Sequence, residues 1–365
     1  MPEIIIAVDH LKTFMYETLL AAGVPAADAD IVVEILIASD LRGIESHGIG
    51  RLKMYIDRIL DGRQKAVTNF EILKESPGTA LIDGHHGMGH VIAYKAMNLA
   101  IQKAGKVGIA AVAVRNGTHF GITGYYPMMA IRRGMAGLAF TNARPTISPT
   151  FGNEPLLGTN PIAFGVPSDE ECPFLLDMAT SISQRGKIEV AERKGKILPE
   201  GLAMDTNGNY VSDPVTLLKM FGQKAASLLP LGGAGEELAG YKGYGLAVMV
   251  EILSSAFSGG PFGWGLVGFD PDGNKIPFQL GHFFMAIDVA KFIDPEQFKK
   301  ITGNILRSMR ESAKLPGQSR IYTAGEKEFE NEKRILREGV PINESLQQEM
   351  KALQQNLKLK IALPF

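Results

Sequence analysis

A histidine and an arginine stand four residues apart near the start of the chain, in a stretch that runs from Ser39 to Leu52. If a helix begins after Gly48, this spacing places His47 and Arg51 on one face. Histidine exchanges a proton near neutral pH, and the planar fork of arginine grips a carboxylate. The pair therefore has half of the chemistry needed to oxidise a 2-hydroxy acid. A solvated helix edge capped by Ser46 explains the same residues.

A second histidine, His119, lies in the loop Asn116-Gly-Thr-His-Phe-Gly121. The loop follows a predicted buried strand at 109–114 and precedes a predicted helix at 122–133. Loops that follow buried strands are where sites lie in α/β folds. A site residue and a structural histidine both remain open for this position.

Asp177 and Lys242 are further polar residues at the ends of predicted elements. Asp177 ends the buried strand predicted at 174–178, where a carboxylate either caps the chain or partners a histidine or ligand. Lys242 precedes a helix predicted at 244–257 and is followed by Gly243. A lysine there contacts a phosphate or ribose, or is simply solvated.

The glycine pair in Gly87-Met-Gly89 resembles the start of a dinucleotide-binding fingerprint between a strand and a helix. The third glycine position holds Ile92, and the following strand ends in Val114-Arg-Asn116 rather than in an acid that binds a ribose. The sequence therefore argues against a Rossmann fold.

Three histidines close together, His85, His86 and His90, suggest metal ligands. The stretch has no HExxH motif, no carboxylate at ligand spacing and no cysteine pair. A polar loop whose histidines have ordinary hydrogen-bond partners is favoured, and no metal is predicted.

The elements that must position these residues form two groups. Apolar spacing predicts helices in the first seventy residues and again after Asp294, where Pro295 and Gln297 complete a capping pattern. Strands and helices mix between Pro77 and Asp288. We therefore expect a helical domain built from residues 1–75 with 290–365, and an α/β domain at 76–289 that binds cofactor and substrate.

Composition excludes several classes of protein. Lys and Arg total 38 and Asp and Glu total 39 among 365 residues, which gives no basic excess for nucleic acid. No apolar segment is long enough to span a membrane, and the first residues lack the basic start of a signal peptide. Cys172 is the single cysteine, so no internal disulfide forms. We expect a cytoplasmic protein.

Several motifs, in this order along the chain, resemble the type-2 malate/L-lactate dehydrogenase family. The similarity extends from about Leu11 to Glu326, and the agreement of separate motifs makes it more specific than any one alone. The matching segments are Ser39–Gly48 with Arg51, Asn116–Gly121, Gly158–Pro161, Asp177–Thr180 and Lys242–Gly245.

The resemblance implies a nicotinamide cofactor, NAD or NADP, bound without a Rossmann fold on a mixed, mainly antiparallel α/β domain. It also implies a homodimer. By the same resemblance His47 and His119 are the two candidates for proton transfer, members of the family differing in which one acts, and Arg51 binds the substrate carboxylate. The positions that fall where the family contacts its cofactor are Asn142, Ala143, Asp177, Met178, Ala179, Lys242, Gly325 and Glu326. Ala324 stands where relatives often carry proline, which weakens the expectation at Gly325 and Glu326.

The function that these observations favour is reversible oxidation of malate to oxaloacetate by NAD. His47 is the preferred base because it shares a short segment with Arg51. Other activities of the family remain open: lactate, sulfolactate or ureidoglycolate oxidation, and NADPH-dependent reduction of a cyclic imine carboxylate. A metal-dependent hydrolase that uses His85, His86 and His90 is the alternative of another class.

Overall fold

Helices occupy both ends of the chain and a seven-stranded sheet lies between them in sequence. The computed structural model of the protein describes residues 3–365. Its α-helices are α1 (Val8–Ala21), α2 (Ala26–Leu41), α3 (Leu52–Leu60), α4 (Gly89–Val107), α5 (Tyr125–Ile131), α6 (Arg185–Arg193), α7 (Pro214–Gly222), α8 (Gly240–Glu251), α9 (Pro295–Glu311), α10 (Glu326–Glu338) and α11 (Glu344–Asn356). Its strands are β1 (Ile4–Ile6), β2 (Glu71–Glu75), β3 (Thr79–Asp83), β4 (Ile109–Gly117), β5 (Met135–Thr141), β6 (Ile162–Val166), β7 (Phe174–Met178), β8 (Ala203–Asp205), β9 (Ala226–Leu228), β10 (Leu280–Asp288) and β11 (Val340–Ile342).

The main sheet has the strand order β2-β3-β4-β10-β5-β6-β7. Only β3 and β4 pair in parallel, with α4 as the crossover between them, and every other pair is antiparallel. A dinucleotide-binding Rossmann sheet is parallel across its strands. The mixed, mainly antiparallel α/β fold expected from the sequence is therefore confirmed.

Helices cover both faces of this sheet. On one face Ala96 of α4 and Tyr126 of α5 lie in one buried cluster with Phe284 of the central strand β10. On the other face Val250 of α8 packs against Phe140 and Phe283. Because both faces are covered, the strands hold the loops at their ends in fixed positions.

The two ends of the chain share one apolar core. β1 pairs with β11, so that Ile4 lies opposite Ile342. Leu11 and Phe14 of α1 and Met350 of α11 are fully buried in the same cluster. This shared core supports a helical domain built from both termini, whose exact boundaries stay a prediction.

Most predicted elements are present, with shifted ends. Strand β7 has the bounds predicted at 174–178, and the Asp294 carboxylate accepts a hydrogen bond from the Gln297 N–H as expected. The helix expected from Ile49 instead begins with a 3₁₀ turn at Ile49–Arg51 before α3. Within the described residues no helix has the length and apolar character that a membrane crossing requires.

Candidate active site

One large cleft brings together most of the polar residues singled out in the sequence. It encloses about 2110 Å³, including the part open to solvent, and lies between the loop after α2, the start of α3 and the ends of the sheet strands. The predicted site residues that line it are His47, Arg51, His119, Asn142, Ala143, Asp177 and Ala179. They come from segments more than a hundred residues apart in sequence.

The two histidine rings lie face to face. Their centroids are 5.4 Å apart with an interplanar angle of 25°, although 72 residues separate His47 from His119 in the chain. His47 lies in the turn between α2 and the 3₁₀ turn, and His119 lies in the loop that follows β4. A substrate bound in the cleft therefore meets both rings on one side.

A hydroxyl group holds the Nδ1 atom of each ring. Ser46 Oγ lies 2.8 Å from Nδ1 of His47, and the Tyr55 hydroxyl lies 2.6 Å from Nδ1 of His119. The Gly121 N–H also donates to Nδ1 of His119 at 3.4 Å. Because a backbone N–H can only donate, Nδ1 of His119 is an acceptor, and the ring proton of the neutral imidazole lies on Nε2. His119 therefore presents a donor to the cleft.

His47 can present a hydrogen-bond acceptor to the cleft instead of a donor. The Ser46 hydroxyl can accept a hydrogen bond from Nδ1–H, which leaves the lone pair of Nε2 of His47 for a ligand. Burial, and then the positive charge of Arg51, lower the pKa of His47 to about 4. Burial, together with the charges of His47, Arg58 and Arg51, holds the pKa of His119 well below its usual value. Both rings are thus neutral near pH 7, the state in which an imidazole takes up a proton.

Arg51 is fixed to the same turn as His47. Its Nε donates to the Ser46 carbonyl at 2.6 Å, and its Nη2 lies 3.8 Å from Oε2 of Glu189 on α6. The distance to Glu189 is longer than a hydrogen bond, so the outer edge of the guanidinium keeps donors for a ligand. Glu189 is also bound by Arg185 at 2.9 Å. The arginine is therefore oriented but not neutralised.

A buried carboxyl group supports the turn that carries His47. Asp40, near the end of α2, accepts a hydrogen bond from the Ile49 N–H at 2.8 Å. Burial raises the pKa of Asp40 to about 8. Gly48 passes so close that a Cβ there would lie 1.8 Å from Oδ1 of Asp40. This close approach requires glycine and fixes the turn between the two elements.

Buried hydrogen bonds fix the part of the cleft wall formed by Asn142 and Ala143. The Asn142 side chain points inward, where it donates to Ser255 at 2.8 Å and accepts from the Gly281 N–H at 2.9 Å. Asn160 donates to Glu251 at 2.8 Å and accepts from the Ala143 N–H at 3.3 Å. The backbone of residues 142–144, rather than the Asn142 side chain, therefore faces the cleft.

Asp177 lies at the end of β7, on the opposite part of the cleft. Its carboxylate is exposed to the cleft and accepts a hydrogen bond from the Gly124 N–H at 2.7 Å. The protein atoms that surround it on the other sides raise the pKa of this carboxyl group to about 6. It forms no hydrogen bond with either histidine of the pair, so the expectation that it partners a catalytic ring gains no support from the structure.

The structure places the remaining predicted cofactor residues outside the lining of this cleft. Met178 is half-buried in β7, and Lys242 is exposed in the first turn of α8. Gly325 adopts a left-handed conformation just before α10 and packs against Leu175. The Glu326 carboxylate is buried and accepts hydrogen bonds from Arg320 and from the Thr323 N–H. Their roles stay predictions.

The three clustered histidines have separate environments. His85 bonds Glu71 at 2.6 Å, His86 bonds the Phe278 carbonyl at 2.8 Å, and both ring nitrogens of His90 are buried without a partner. No group of three metal-ligating side chains occurs among residues 3–365. The geometry thus gives the metal-dependent hydrolase no support.

Two cleft residues and one buried residue behind them were not anticipated from the sequence. Tyr55 binds His119 from the buried face of α3, and Arg58 and Arg144 add positive charge to the lining. Tyr55 comes four residues after Arg51, and this spacing places both on the same helix face. A tyrosine at that position is equally typical of a hydrophobic core, so the spacing alone did not indicate a site residue. Nothing in the spacing indicates Arg144.

Comparisons with known proteins agree over the whole chain. The family model for malate/L-lactate dehydrogenase matches residues 6–351. A malate dehydrogenase from Pyrococcus abyssi is 44% identical over 352 residues, which are 96% of this chain and 94% of that protein. An L-sulfolactate dehydrogenase from Methanothermobacter thermautotrophicus is 37% identical over 95% of each chain.

The structural comparison gives the same answer. The crystal structure of malate dehydrogenase from Entamoeba histolytica superimposes with a TM-score of 0.95 at 42% identity, and the match covers 100% of both chains. The resemblance first seen in the motifs around His47, His119 and Asp177 therefore extends to the complete fold. By sequence and by fold, the chain belongs to the malate/L-lactate dehydrogenase family.

Proposed function

We propose that the protein is an NAD-dependent malate dehydrogenase that converts malate to oxaloacetate reversibly. The observation that carries this proposal is the pair of neutral, stacked histidines beside Arg51 in one cleft. The malate dehydrogenase from Pyrococcus abyssi, 44% identical to this chain, supports malate as the substrate. The sulfolactate dehydrogenase at 37% identity makes sulfolactate a second candidate.

His47 is the proposed base for the substrate hydroxyl. Its Nε2 lone pair is available when Ser46 accepts from Nδ1–H, whereas His119 presents Nε2–H. His119 then donates a hydrogen bond to the oxygen on C2, which orients it towards His47. A positioned general base contributes about 10²–10⁴ in rate. In the reverse direction His47 returns the proton to the oxygen.

Arg51 is the proposed partner of the C1 carboxylate. A guanidinium holds a carboxylate through two parallel hydrogen bonds, which fixes the orientation of C2 as well as its position. The bond from Nε of Arg51 to the Ser46 carbonyl ties this orientation to the turn that carries His47. The short segment that contains His47 and Arg51 thus contacts both the C1 carboxylate and the C2 hydroxyl of the substrate.

The cleft fits a nicotinamide cofactor, which when bound accepts the hydride from C2. The inward hydrogen bonds of Asn142 and Asn160 present the backbone of residues 142–144 as a rigid wall. Asp177 supplies an exposed carboxylate of the kind that binds sugar hydroxyls. Further cofactor contacts are proposed, from the family resemblance, for Ala143, Met178, Ala179, Lys242, Gly325 and Glu326.

A homodimer in the cytoplasm is the proposed state of the protein. Large apolar side chains are exposed around the end of α8, among them Phe257 and Phe262, which are 60% and 73% exposed. Such a patch on the surface supports contact with a second copy. The single Cys172 supports a reducing compartment.

The test is a substrate screen with NAD and with NADP. We expect malate with NAD to give the highest kcat/KM among malate, sulfolactate, lactate, ureidoglycolate and, in the reducing direction, a cyclic imine carboxylate. His47→Asn should lower malate turnover by about 10²–10⁴. Absence of malate oxidation with either cofactor would overturn the proposal. If His119→Asn lowered malate turnover by this amount and His47→Asn left it near normal, the roles of the two histidines would be exchanged.

A further inference from the structure

Arg58 is a cleft arginine without an acidic partner. It lies on α3, three residues after Tyr55, and its guanidinium stacks 4.2 Å above the ring of Phe278. It is half-buried, and among residues 3–365 its side chain forms no ion pair and no hydrogen bond. A guanidinium that gives up water without gaining an acceptor is costly, unless a ligand supplies that acceptor.

A second arginine of the cleft also lacks an acidic partner. Arg144 follows the wall residues Asn142 and Ala143, is exposed to the cleft, and likewise has no ion pair or side-chain hydrogen bond within the described residues. Burial, and charges that include Arg144, lower the pKa of Arg58 to about 10. The surrounding protein, and then the charge of Arg185, lower the pKa of Arg144 to about 10 as well. Both guanidiniums stay charged near pH 7 and line the cleft without an acidic partner, so an anion bound there would stabilise them.

Arg58 lies close to the reacting rings, and Arg144 lines the same cleft. The charges of both Arg58 and Arg51 act on His119, so all three groups are close together. Arg51 is bound to the turn of His47 and lies near Glu189, whereas Arg58 and Arg144 have no ion pair and no side-chain hydrogen bond within the described residues. A ligand with a single carboxylate would leave this second pair of guanidiniums unmatched.

We propose that Arg58, with Arg144 beside it, binds a second acidic group of the substrate, so that the enzyme selects 2-hydroxy acids with an anionic group at the far end from C1. The chemical class is a carboxylate or a sulfonate three or more bonds away from the C1 carboxylate. The inference rests on the proposed function and adds to it the residues that decide between dianionic and monoanionic substrates.

The experiment compares malate with lactate, which shares the hydroxyl and the C1 carboxylate but lacks the second acidic group. In Arg58→Gln we expect kcat/KM for malate to fall about ten- to hundredfold, because a hydrogen bond to a charged group is lost. The value for lactate should stay within about twofold, and KM for NAD should not change. Arg58→Lys keeps the charge and should restore part of the malate activity. Arg144→Gln should show the same selectivity to a smaller extent.

Arg63→Gln is the matched control. Arg63 also lies over the Phe278 ring, at 5.4 Å, but pairs with Asp61 and does not line the cleft. Its loss should leave the malate-to-lactate ratio unchanged. An equal fall for both substrates in Arg58→Gln would overturn the proposal. A rise in KM for NAD alone would assign the arginines to a cofactor phosphate instead and would also overturn it.

Calorimetric binding to the cofactor-free protein separates this inference from the proposed function. Malate should bind more tightly than lactate, and Arg58→Gln should remove the difference. If the protein oxidised neither acid but retained this selective binding, the proposed function would fail and the anion subsite would stand. Equal affinities of wild type for malate and lactate would contradict the subsite, whatever the activity.

Discussion

The two histidines of the cleft are the same residue type with different hydrogen-bond partners. Tyr55 and the Gly121 N–H fix Nδ1 of His119 as an acceptor, while Ser46 leaves His47 free to present its lone pair. The groups that are hydrogen-bonded to Nδ1 of each ring therefore decide which ring takes the proton and which donates a hydrogen bond. A pair of rings 5.4 Å apart also disfavours protonation of both at once.

The pH dependence of malate oxidation should reflect this environment. His47 must be neutral to accept a proton, and burial with the Arg51 charge lowers its pKa to about 4 in the free enzyme. Because His47 is protonated only near and below this lowered pKa, kcat/KM should stay constant as the pH falls well below 6.5 and should decrease only at lower pH. A bound dianion offsets the charge of Arg51 and raises the pKa of His47, so the acidic limb of kcat should lie at higher pH than that of kcat/KM.

Arg51→Gln provides the comparison for this pH prediction. Loss of the positive charge should raise the pKa of His47 in the free enzyme, which an NMR titration of its ring signal measures without any substrate. Arg334→Gln, on the exposed face of α10, should leave the titration unchanged. A His47 pKa near 6.5 in wild type, or the same value in wild type and Arg51→Gln, would contradict the assignment.

At the scale of residues, the sequence indicated the chemistry but not its arrangement. His47 and Arg51 were found because they are close in the chain. The contact of Tyr55 with His119 spans 64 residues, and no spacing rule reaches that far. Asn142 was expected as a contact residue, yet its amide lies in a buried network with Ser255, which only the fold reveals.

The elements around the cleft depend on close approaches between backbones. The glycines at Gly87 and Gly89, which resemble a phosphate-binding fingerprint, have another use here. Thr118 donates to the Gly87 carbonyl at 2.8 Å, and a Cβ at Gly89 would lie 2.2 Å from the Thr118 carbonyl oxygen. The start of α4 is thus packed against the loop that carries His119, which it holds beside His47.

Gly48→Ala should disrupt the turn that carries His47. The new Cβ would lie 1.8 Å from Oδ1 of Asp40, so the buried carboxyl group must move and lose its bond to the Ile49 N–H. A displacement of about 1 Å can cost about a hundredfold in rate, so we expect kcat/KM for malate to fall by roughly ten- to a hundredfold. Steady-state kinetics and far-UV circular dichroism of the purified variant check both activity and folding.

Gly222→Ala is the control for this substitution. Gly222 ends α7, and a Cβ there meets no atom within 4 Å. Its kinetics should match the wild type. Full malate activity in Gly48→Ala would show that the turn tolerates displacement and that Asp40 does not position His47.

Elements with strong periodic patterns were predicted well, and those formed by pairing were not. Strand β2 has an exposed residue at every position and owes its existence to β3 beside it. The three-residue strands β1 and β11 are too short to show a pattern. Helix α7 was missed although Asp213 and Pro214 form a recognisable start, because the surrounding segment is rich in glycine and polar residues.

At the scale of the whole molecule, the two ends of the chain are built into one core. Ile342 of β11 is fully buried with the apolar face of the first helices, whereas Ile5 of the paired strand is 56% exposed. The strand pair therefore has an inner and an outer side. The same core supports α2 and α3, which carry the two sides of the His47 turn.

Ile342→Ala should destabilise the protein by about 2–5 kcal/mol, because removing a fully buried side chain leaves a cavity. Ile5→Ala, on the outer side of the same pair, should change the free energy of unfolding by no more than about 0.5 kcal/mol. Urea unfolding followed by fluorescence measures both. Equal effects of the two substitutions would contradict the placement of β11 in the shared core.

The pairing of Ile4 with Ile342 has a consequence for synthesis of the protein. Helices α1 and α2 leave the ribosome about 300 residues before β11, the strand that completes their core. At about 5–20 residues per second, the apolar faces of α1 and α2 wait for tens of seconds without their partner. The nascent chain therefore has to keep α1 and α2 from aggregating until β11 has been synthesised.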